Sequence, residues 1–342
     1  MRASYPLGKS QVLIGVIGVG RIGRSHAETL KSVSDVDEII VTDTDLTRAQ
    51  TAATELDVRW CREIGELIEK VDAVVIATST TAHADLIIEA TSAGKPTFCE
   101  KPISIDLEST QKVVDHVHAT DAVVQMGFQR RFDLGYLAAR DLVASGGIGT
   151  LYAVRMAGHD PAPPPESYIR DSGGLFRDFS IHDFDALRFV TGQEVVEVYA
   201  DGDVLGFPIF RDYGDIDTGF AILRLESGAR GILSVTRHDP LGYDIRMELL
   251  GSGDSAVVGW DDRLPLRTLE PGGQPAPSDA YRNFQERFEN AYQAELEAFC
   301  EVAAGQAGSP CTVDDAQMAL RIAVACDLSL AEKRPVLLTE VG

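Results

Sequence analysis

The stretch that decides the fold is QVLIGVIGVGRIGRSHAETLKS, Gln11 to Ser32. A run of apolar β-formers, Val12 to Ile17, leads into Gly18, Gly20 and Gly23 at G-x-G-x-x-G spacing, and a helical pattern follows. The order predicts strand, tight turn, helix. The first glycine permits the turn, the second lets the backbone approach a pyrophosphate, and the third lets the helix pack closely on the strand. The helix N-terminus then offers free N–H groups to phosphates. Because the chain holds 31 glycines, the spacing alone is weak evidence and its context must support it.

That context comes at DEIIVTDTD, where a second apolar run ends at Asp43, 20 residues beyond Gly23. This is the distance expected for an acid that accepts a hydrogen bond from the adenosine ribose and repels a 2′-phosphate. Thr44 and Asp45 follow, with no arginine until Arg48, so NAD is expected rather than NADP. The plainer alternative is that Asp43 caps the next helix. Beyond it the pattern alternates: a helix around Ile64 to Lys70, the strand DAVVIATST, a helix from about His83 to Ala93, and the short strand PTFCE. Such alternation implies right-handed crossovers and an open, doubly wound parallel sheet of Rossmann type. Ligands of these sheets sit at the carboxyl ends of the strands. Thr78, Ser79 and Thr81 follow one strand, and Glu100, Lys101 and Pro102 the next, so both clusters should border the nicotinamide half. For Thr78 to Thr81 the alternative is an ordinary polar helix cap. The expected cofactor-binding set is Gly18, Gly20, Arg21, Ile22, Gly23, Asp43, Thr78, Ser79, Thr81, His83, Glu100 and Lys101.

At 342 residues the chain is longer than one core usually holds. Two domains are expected, a dinucleotide-binding domain over 10–126 and a substrate-binding and oligomerisation domain over 127–342. Hydrophobic residues at 44% and charged residues at 25% mark a folded, core-bearing protein. The 31 basic and 53 acidic residues leave a charge of −22, which argues against a nucleic-acid partner. No apolar run reaches the roughly 18 residues of a membrane span, and MRASYPLGKS lacks the apolar core of a signal peptide. The expected location is the cytoplasm. Cys61, Cys99, Cys300, Cys311 and Cys326 are scattered without zinc-ligand spacing. His116 and His118 are two residues apart and do not face each other on a helix, so no metal is expected.

After Gly127 the pattern changes. EVVEVYADG, TGFAILRLESG, RGILSVTRH, YDIRMELLG and SAVVGW read as strands at hairpin spacing, bounded by Gly, Asp and Pro. They predict an α+β domain with a mainly antiparallel open sheet, one face on helices and the other free for a neighbouring subunit or substrate. RNFQERFENAYQAELEAFCEV and TVDDAQMALRIAVACDLSLAE are helix candidates, with Thr312 as an N-cap for the second. Pro161 to Pro165 form a stiff loop for which a lid or rim role is an open expectation.

Two places could carry chemistry. Lys101, after a buried strand and before a proline, is held extended and could hydrogen-bond a reacting oxygen, or it could simply pair with Glu100. In DSGGLFRDFSIHDFDALRF, Asp171 to Phe189, Asp178 and His182 are four residues apart and would be neighbours on a helix that held both. A carboxylate that orients an imidazole suits a general base removing a hydroxyl proton while hydride leaves the same carbon. The alternative is a capping aspartate and a structurally satisfied histidine. Asp183 and Asp185 read as solvated or interdomain positions, and Arg130 and Arg131 as partners for acids of the second domain.

GVGRIG, then EKP at Glu100 to Pro102, then GGLFRDFSIHDFDALRF, in that order, resemble the glucose-fructose oxidoreductase, inositol dehydrogenase and rhizopine catabolism family. GFQRRFD at Gly127 to Asp133 and HDPAPPP at His159 to Pro165 are most like its inositol-oxidising branch. The resemblance runs from about Val12 to Glu332. It implies a catalytic set of Lys101, Asp178 and His182, and places substrate hydroxyl contacts on the same three residues with His159 and Tyr243. The implied activity is NAD-dependent oxidation of a secondary hydroxyl of a small neutral polyol, first of all myo-inositol to 2-keto-myo-inositol. Another cyclitol or pyranose, or a non-catalytic NAD-binding regulator on the same fold, are the alternatives. A homotetramer is implied as the assembly.

Overall fold

A computed structural model describes residues 12–273 and 275–342. The elements of the first part are β1 (Val12–Ile17), α1 (Arg21–Ser32), β2 (Val36–Thr42), α2 (Leu46–Leu56), β3 (Arg59–Trp60), α3 (Ile64–Lys70), β4 (Ala73–Ile76), α4 (Thr80–Ser92), β5 (Thr97–Glu100), α5 (Leu107–Thr120) and β6 (Val124–Gly127). Then come α6 (Leu134–Ala144), β7 (Leu151–His159), α7 (Glu166–Asp171), α8 (Leu175–Asp178), α9 (Ile181–Thr191), β8 (Val195–Asp203), α10 (Ile209–Asp212) and β9 (Thr218–Leu225). The chain closes with β10 (Arg230–Thr236), β11 (Asp244–Gly251), β12 (Ser255–Val258), α11 (Phe284–Arg287), α12 (Glu289–Ala303), α13 (Val313–Glu332) and β13 (Val336–Leu337).

The first unit holds the described residues up to Gln129 together with Tyr292–Gln317. Its sheet is six-stranded in the order β3-β2-β1-β4-β5-β6, every pair parallel. The order reverses between β1 and β4, which places the glycine loop and Thr78 at the switch point where doubly wound sheets bind ligands. β4, β5 and β6 are buried throughout, as strands covered on both faces must be. The core joins Ile14, Val16, Leu30, Val41, Val75 and Phe98 to Leu296, Phe299 and Cys300 of α12. Phe98 and Phe299 lie 5.7 Å apart between ring centroids, and the Gln125 amide donates to the Glu295 carbonyl at 3.0 Å. This return differs from the division expected at residue 127. The first crossing lies near that point, but residues 292–317 pack with the dinucleotide unit. The expected start at residue 10 lies outside the described residues.

The second unit holds Arg130–Ala291 and Met318–Gly342. Its seven strands run β12-β11-β7-β10-β9-β8-β13. Every pair is antiparallel except β7 and β10, which are parallel because β8 and β9 intervene in the chain. β9 and β10 alternate cleanly between buried and exposed positions, with Ala221, Leu223, Leu233 and Val235 buried. Leu187 of α9 reaches Gly231 on the covered face. On the other face Tyr199, Phe220, Ile222 and Ile232 stay 36%, 52%, 51% and 44% exposed. Ile222 stands in register with both Tyr199 and Ile232. The predicted cap of α13 forms reciprocally: Thr312 Oγ1 accepts from the Asp315 amide at 3.3 Å, and Asp315 accepts from the Thr312 amide at 2.9 Å. Among the described residues no helix is long and apolar enough to cross a membrane.

Candidate active site

In the first unit the three motif glycines meet three different demands. Gly18 has φ of +88°, and a Cβ there would lie 2.8 Å from the Ala77 carbonyl oxygen. A Cβ on Gly23 would lie 1.9 Å from the Gly18 carbonyl oxygen, so α1 can sit this close to the loop only without one. At Gly20 a Cβ would meet no protein atom within 4 Å. Gly20 is also the N-cap of α1, with no side-chain cap for the amides of the first turn. Open space in front of uncapped N–H groups fits a pyrophosphate, and so the residues present suit a dinucleotide.

Asp43, just past β2, is buried and points back to that loop. Its Oδ2 accepts from the Val19 amide at 2.9 Å and its Oδ1 from the Asp45 amide at 2.9 Å. The cap of α2 is instead Asp45, which accepts from the Thr47 and Arg48 amides at 3.0 and 3.2 Å. The capping alternative for Asp43 therefore falls. Arg48, in the first turn of α2, brings its Nη1 to 3.2 Å from Asp43 Oδ1. Asp43, Thr44, Leu46, Arg62, Glu63, Ile64 and Gly65 line a cavity of about 440 Å³.

At the end of β4, Ser79 and Thr81 are exposed, with their hydroxyl oxygens 3.1 Å apart, and α4 starts at Thr80 without a side-chain cap. His83 is 1% exposed. Its Nδ1 lies 2.7 Å from the Pro102 carbonyl oxygen and its Nε2 3.2 Å from that of Thr78. Burial holds its pKa below the ordinary value although both carbonyls pull it up. The imidazole faces the backbone and joins the loops after β4 and β5. Glu100 is likewise buried, with Oε1 2.6 Å from His26 Nε2. Lys101 follows, half-buried, across a cis peptide bond to Pro102. His116 and His118 have separate neighbours, Thr91 at 3.0 Å and Asp314 at 3.0 Å.

In the second unit Asp178 and His182 do not share one helix. Asp178 ends α8, Phe179 and Ser180 form a turn, and His182 lies in the first turn of α9. The break follows from packing. Phe179 turns inward onto Gly158, where a Cβ would lie 2.8 Å from its ring, and meets Tyr243 edge-on at 6.4 Å. Asp178 is 7% exposed. It accepts from the Tyr168 hydroxyl at 2.6 Å and from Arg237 Nη2 at 2.9 Å. Arg237, 3% exposed, lies over the Phe179 ring at 5.6 Å and reaches Asp160 at 3.5 Å. Burial opposes its charge, but Asp178, Asp160 and Asp215 outweigh that and raise its pKa. Sequence reading missed both Arg237 and Tyr168; the available signal was a cation immediately after an alternating strand.

Asp183 and Asp185, expected to be solvated or interdomain positions, are 1% and 0% exposed. Arg130 Nη1 meets Asp183 at 2.5 Å, and Arg131 grips Asp185 through Nε and Nη2 at 2.9 and 2.6 Å. The expectation that these arginines pair with acids of the second domain holds, while the acids are desolvated partners. His159 ends β7, half-buried, with Nδ1 2.8 Å from Thr236 Oγ1. Burial holds its pKa down, against the pull of Asp244 and Asp239. Tyr243 is buried and its phenol pKa is raised by that burial. Asp178, Arg237 and Tyr243 thus all adjoin Phe179.

Two family models match this sequence: residues 12–128 match an oxidoreductase family with an NAD-binding Rossmann fold, and residues 136–257 match the GFO/IDH/MocA C-terminal domain. A myo-inositol 2-dehydrogenase of Thermotoga maritima is 38% identical over 96% of this chain and 99% of its own. An NAD-dependent scyllo-inositol 2-dehydrogenase of Bacillus subtilis is 35% identical over 95% of this chain and 96% of its own. Among solved structures, a scyllo-inositol dehydrogenase of Lactobacillus casei with NAD(H) and scyllo-inositol bound superposes with a TM-score of 0.87 at 29% identity, covering 96% and 99% of the two chains.

Proposed function

The chain belongs to the GFO/IDH/MocA family of oxidoreductases, and on that premise we propose that it oxidises a secondary hydroxyl of a cyclic polyol with NAD, most directly myo-inositol to 2-keto-myo-inositol. The observation that carries the reading is the glycine loop whose open position, Gly20, faces an uncapped helix start while Asp43 is bound to the loop itself. NAD, when bound, supplies the hydride acceptor. Gly18, Gly20, Arg21, Ile22, Gly23, Asp43, Thr78, Ser79 and Thr81 hold it in this reading, with His83 and Glu100 behind them. The alcohol loses a proton from oxygen and a hydride from carbon, giving the ketone, NADH and a proton. His182 takes the hydroxyl proton, and the Lys101 ammonium donates to the same oxygen as negative charge builds on it. Asp178, anchored by Arg237 and Tyr168, keeps a negative charge available to the imidazolium. His159 and Tyr243 contact the remaining hydroxyls.

The test is initial-rate NADH formation with myo-inositol, scyllo-inositol, D-glucose and D-xylose, each with NAD and NADP. Preference for myo-inositol with NAD is expected. The scyllo-inositol relative makes scyllo-inositol the second candidate, and preference for it would replace the substrate while keeping the chemistry. Lys101→Ala should lower kcat by about 10²–10³ with NAD affinity retained; an undiminished rate would refute the assignment, and NAD binding without turnover of any polyol would favour a regulator. The reading extends to a homotetramer in the cytoplasm that serves polyol catabolism, assembled through the outer sheet face around Ile222. Ile222→Asp should lower the mass measured by light scattering.

A further inference from the structure

We propose that His26 and His83 are positioning residues for Lys101: two buried imidazoles grip the residues on either side of it and fix where its ammonium can reach. The inference rests on the polyol-oxidising reading above, in which that ammonium donates to the reacting oxygen. A lysine carries its charge on a flexible four-carbon stem, so the place from which the stem starts decides whether the donor arrives in line. Its two neighbours set that place. On one side, His26 of α1 brings Nε2 to 2.6 Å from Glu100 Oε1. The His26 ring, 1% exposed, stands edge-on to Phe98 at 5.6 Å and tilted on Tyr292 at 5.8 Å, so packing holds it in register with the carboxylate. Gly127 of β6 makes room for that carboxylate, since a Cβ there would lie 3.1 Å from Glu100 Oε2. On the other side, His83 of α4 faces two carbonyl oxygens, that of Pro102 through Nδ1 at 2.7 Å and that of Thr78 through Nε2 at 3.2 Å. Burial holds its pKa below the ordinary value, so at neutral pH the ring has one N–H to give. The shorter contact places that N–H on Nδ1, donated to the residue after Lys101. Glu100 and Pro102 are thus each tied to a helix of the dinucleotide unit, and Lys101 is strung between them.

Amide side chains separate the two ring nitrogens, because asparagine places its N–H donor near Nδ1 and glutamine near Nε2. Initial rates with the polyol the wild type prefers, together with NAD titration, are measured on each variant. His83→Gln is expected to lower kcat about 10- to 100-fold and His83→Asn much less. At position 26 the order reverses: His26→Gln keeps most of the rate that His26→Asn loses. NAD affinity should be retained in all four. The deciding step repeats His83→Gln and His26→Asn in the Lys101→Ala background, where a residue that acts through the lysine lowers kcat no further. Should one of these variants not fold, the other carries the test, since the two lie on different helices. Losses of the same size with and without Lys101 would overturn the inference, as would rates that do not distinguish asparagine from glutamine at either position. A wild-type chain that oxidises no polyol, or a Lys101→Ala chain with an undiminished rate, would refute the reaction proposed for this site instead, so the failures are distinguishable.

Discussion

Replacing Gly20 and Gly23 separately by alanine should divide ligand binding from folding. At Gly20 the backbone has φ of −65° and ψ of −164°, which any residue adopts, and the new methyl touches nothing within 4 Å. Removing a glycine from the unfolded chain stabilises by about 0.4–1 kcal/mol, but Gly20 is the N-cap of α1, where alanine is the poorer residue by a similar amount. The two effects offset, so Tm should stay within roughly 2 °C of wild type. The same methyl occupies the space in front of the α1 amides, so the complex must absorb an overpacking cost of about 1–3 kcal/mol. NAD affinity should fall roughly 5- to 150-fold. At Gly23 the methyl would instead sit 1.9 Å from the Gly18 carbonyl oxygen and 3.0 Å from Ala77 Cβ. The loop must shift, costing about 1–3 kcal/mol and lowering Tm by roughly 2–12 °C. Calorimetric melting and NAD titration on both variants measure the two effects. A Gly20→Ala protein that binds NAD like wild type, or a Gly23→Ala protein that melts like wild type, would refute the reasoning.

Asp183→Ala strands the buried Arg130 guanidinium and should cost about 3–5 kcal/mol, seen as a lower Tm. Arg130→Met added to it should recover much of the loss, and a double variant no better than the single would contradict the buried-pair account. Burial holds His159 below its ordinary pKa of 6.5, so the folded chain keeps it neutral while the unfolded chain gains a proton on acidification. Its contribution is present above pH 6.5 and is lost as pH falls from there toward the lower folded pKa. Tm should therefore drop more steeply from pH 7 to 5 in wild type than in His159→Asn, and parallel curves would exclude the effect. Arg237→Gln should reduce kcat more than it changes KM and displace the acid limb of the pH-rate profile, with Arg237→Lys recovering part. An unshifted profile would show that Arg237 does not act through Asp178.

What could be read along the chain was whatever short spacing determines. The three glycines, the distance from Gly23 to Asp43 and the strand-then-lysine at Glu100 to Lys101 each encode a local geometry, and each has its expected place in the first unit. The amphipathic pattern of α12 was equally legible, but a pattern states only that one face is buried. Which core receives Leu296 and Phe299 depends on the cavity left beside Phe98, a non-local fact. The same limit hid the ties of Asp178. Its partners Tyr168 and Arg237 are 10 and 59 residues away, and Phe179 overrides helical spacing because Gly158 on a distant strand makes room for its ring. Asp183 and Asp185 read as solvated or interdomain because charge signals exposure unless a partner is visible, and theirs lie more than 50 residues upstream.

The return of residues 292–317 to the dinucleotide unit also sets an order of events during synthesis. The six parallel strands emerge from the ribosome well before the Leu296, Phe299 and Cys300 side chains that complete their core. At about 5–20 residues per second the interval after Gln129 is roughly 10–35 s. Throughout it the nascent sheet lacks one wall of its core, a window in which chaperone engagement would be expected. A gene fragment ending near residue 129 would make that incomplete state permanent, so a stable dinucleotide-binding fragment has to be assembled from two pieces of the chain.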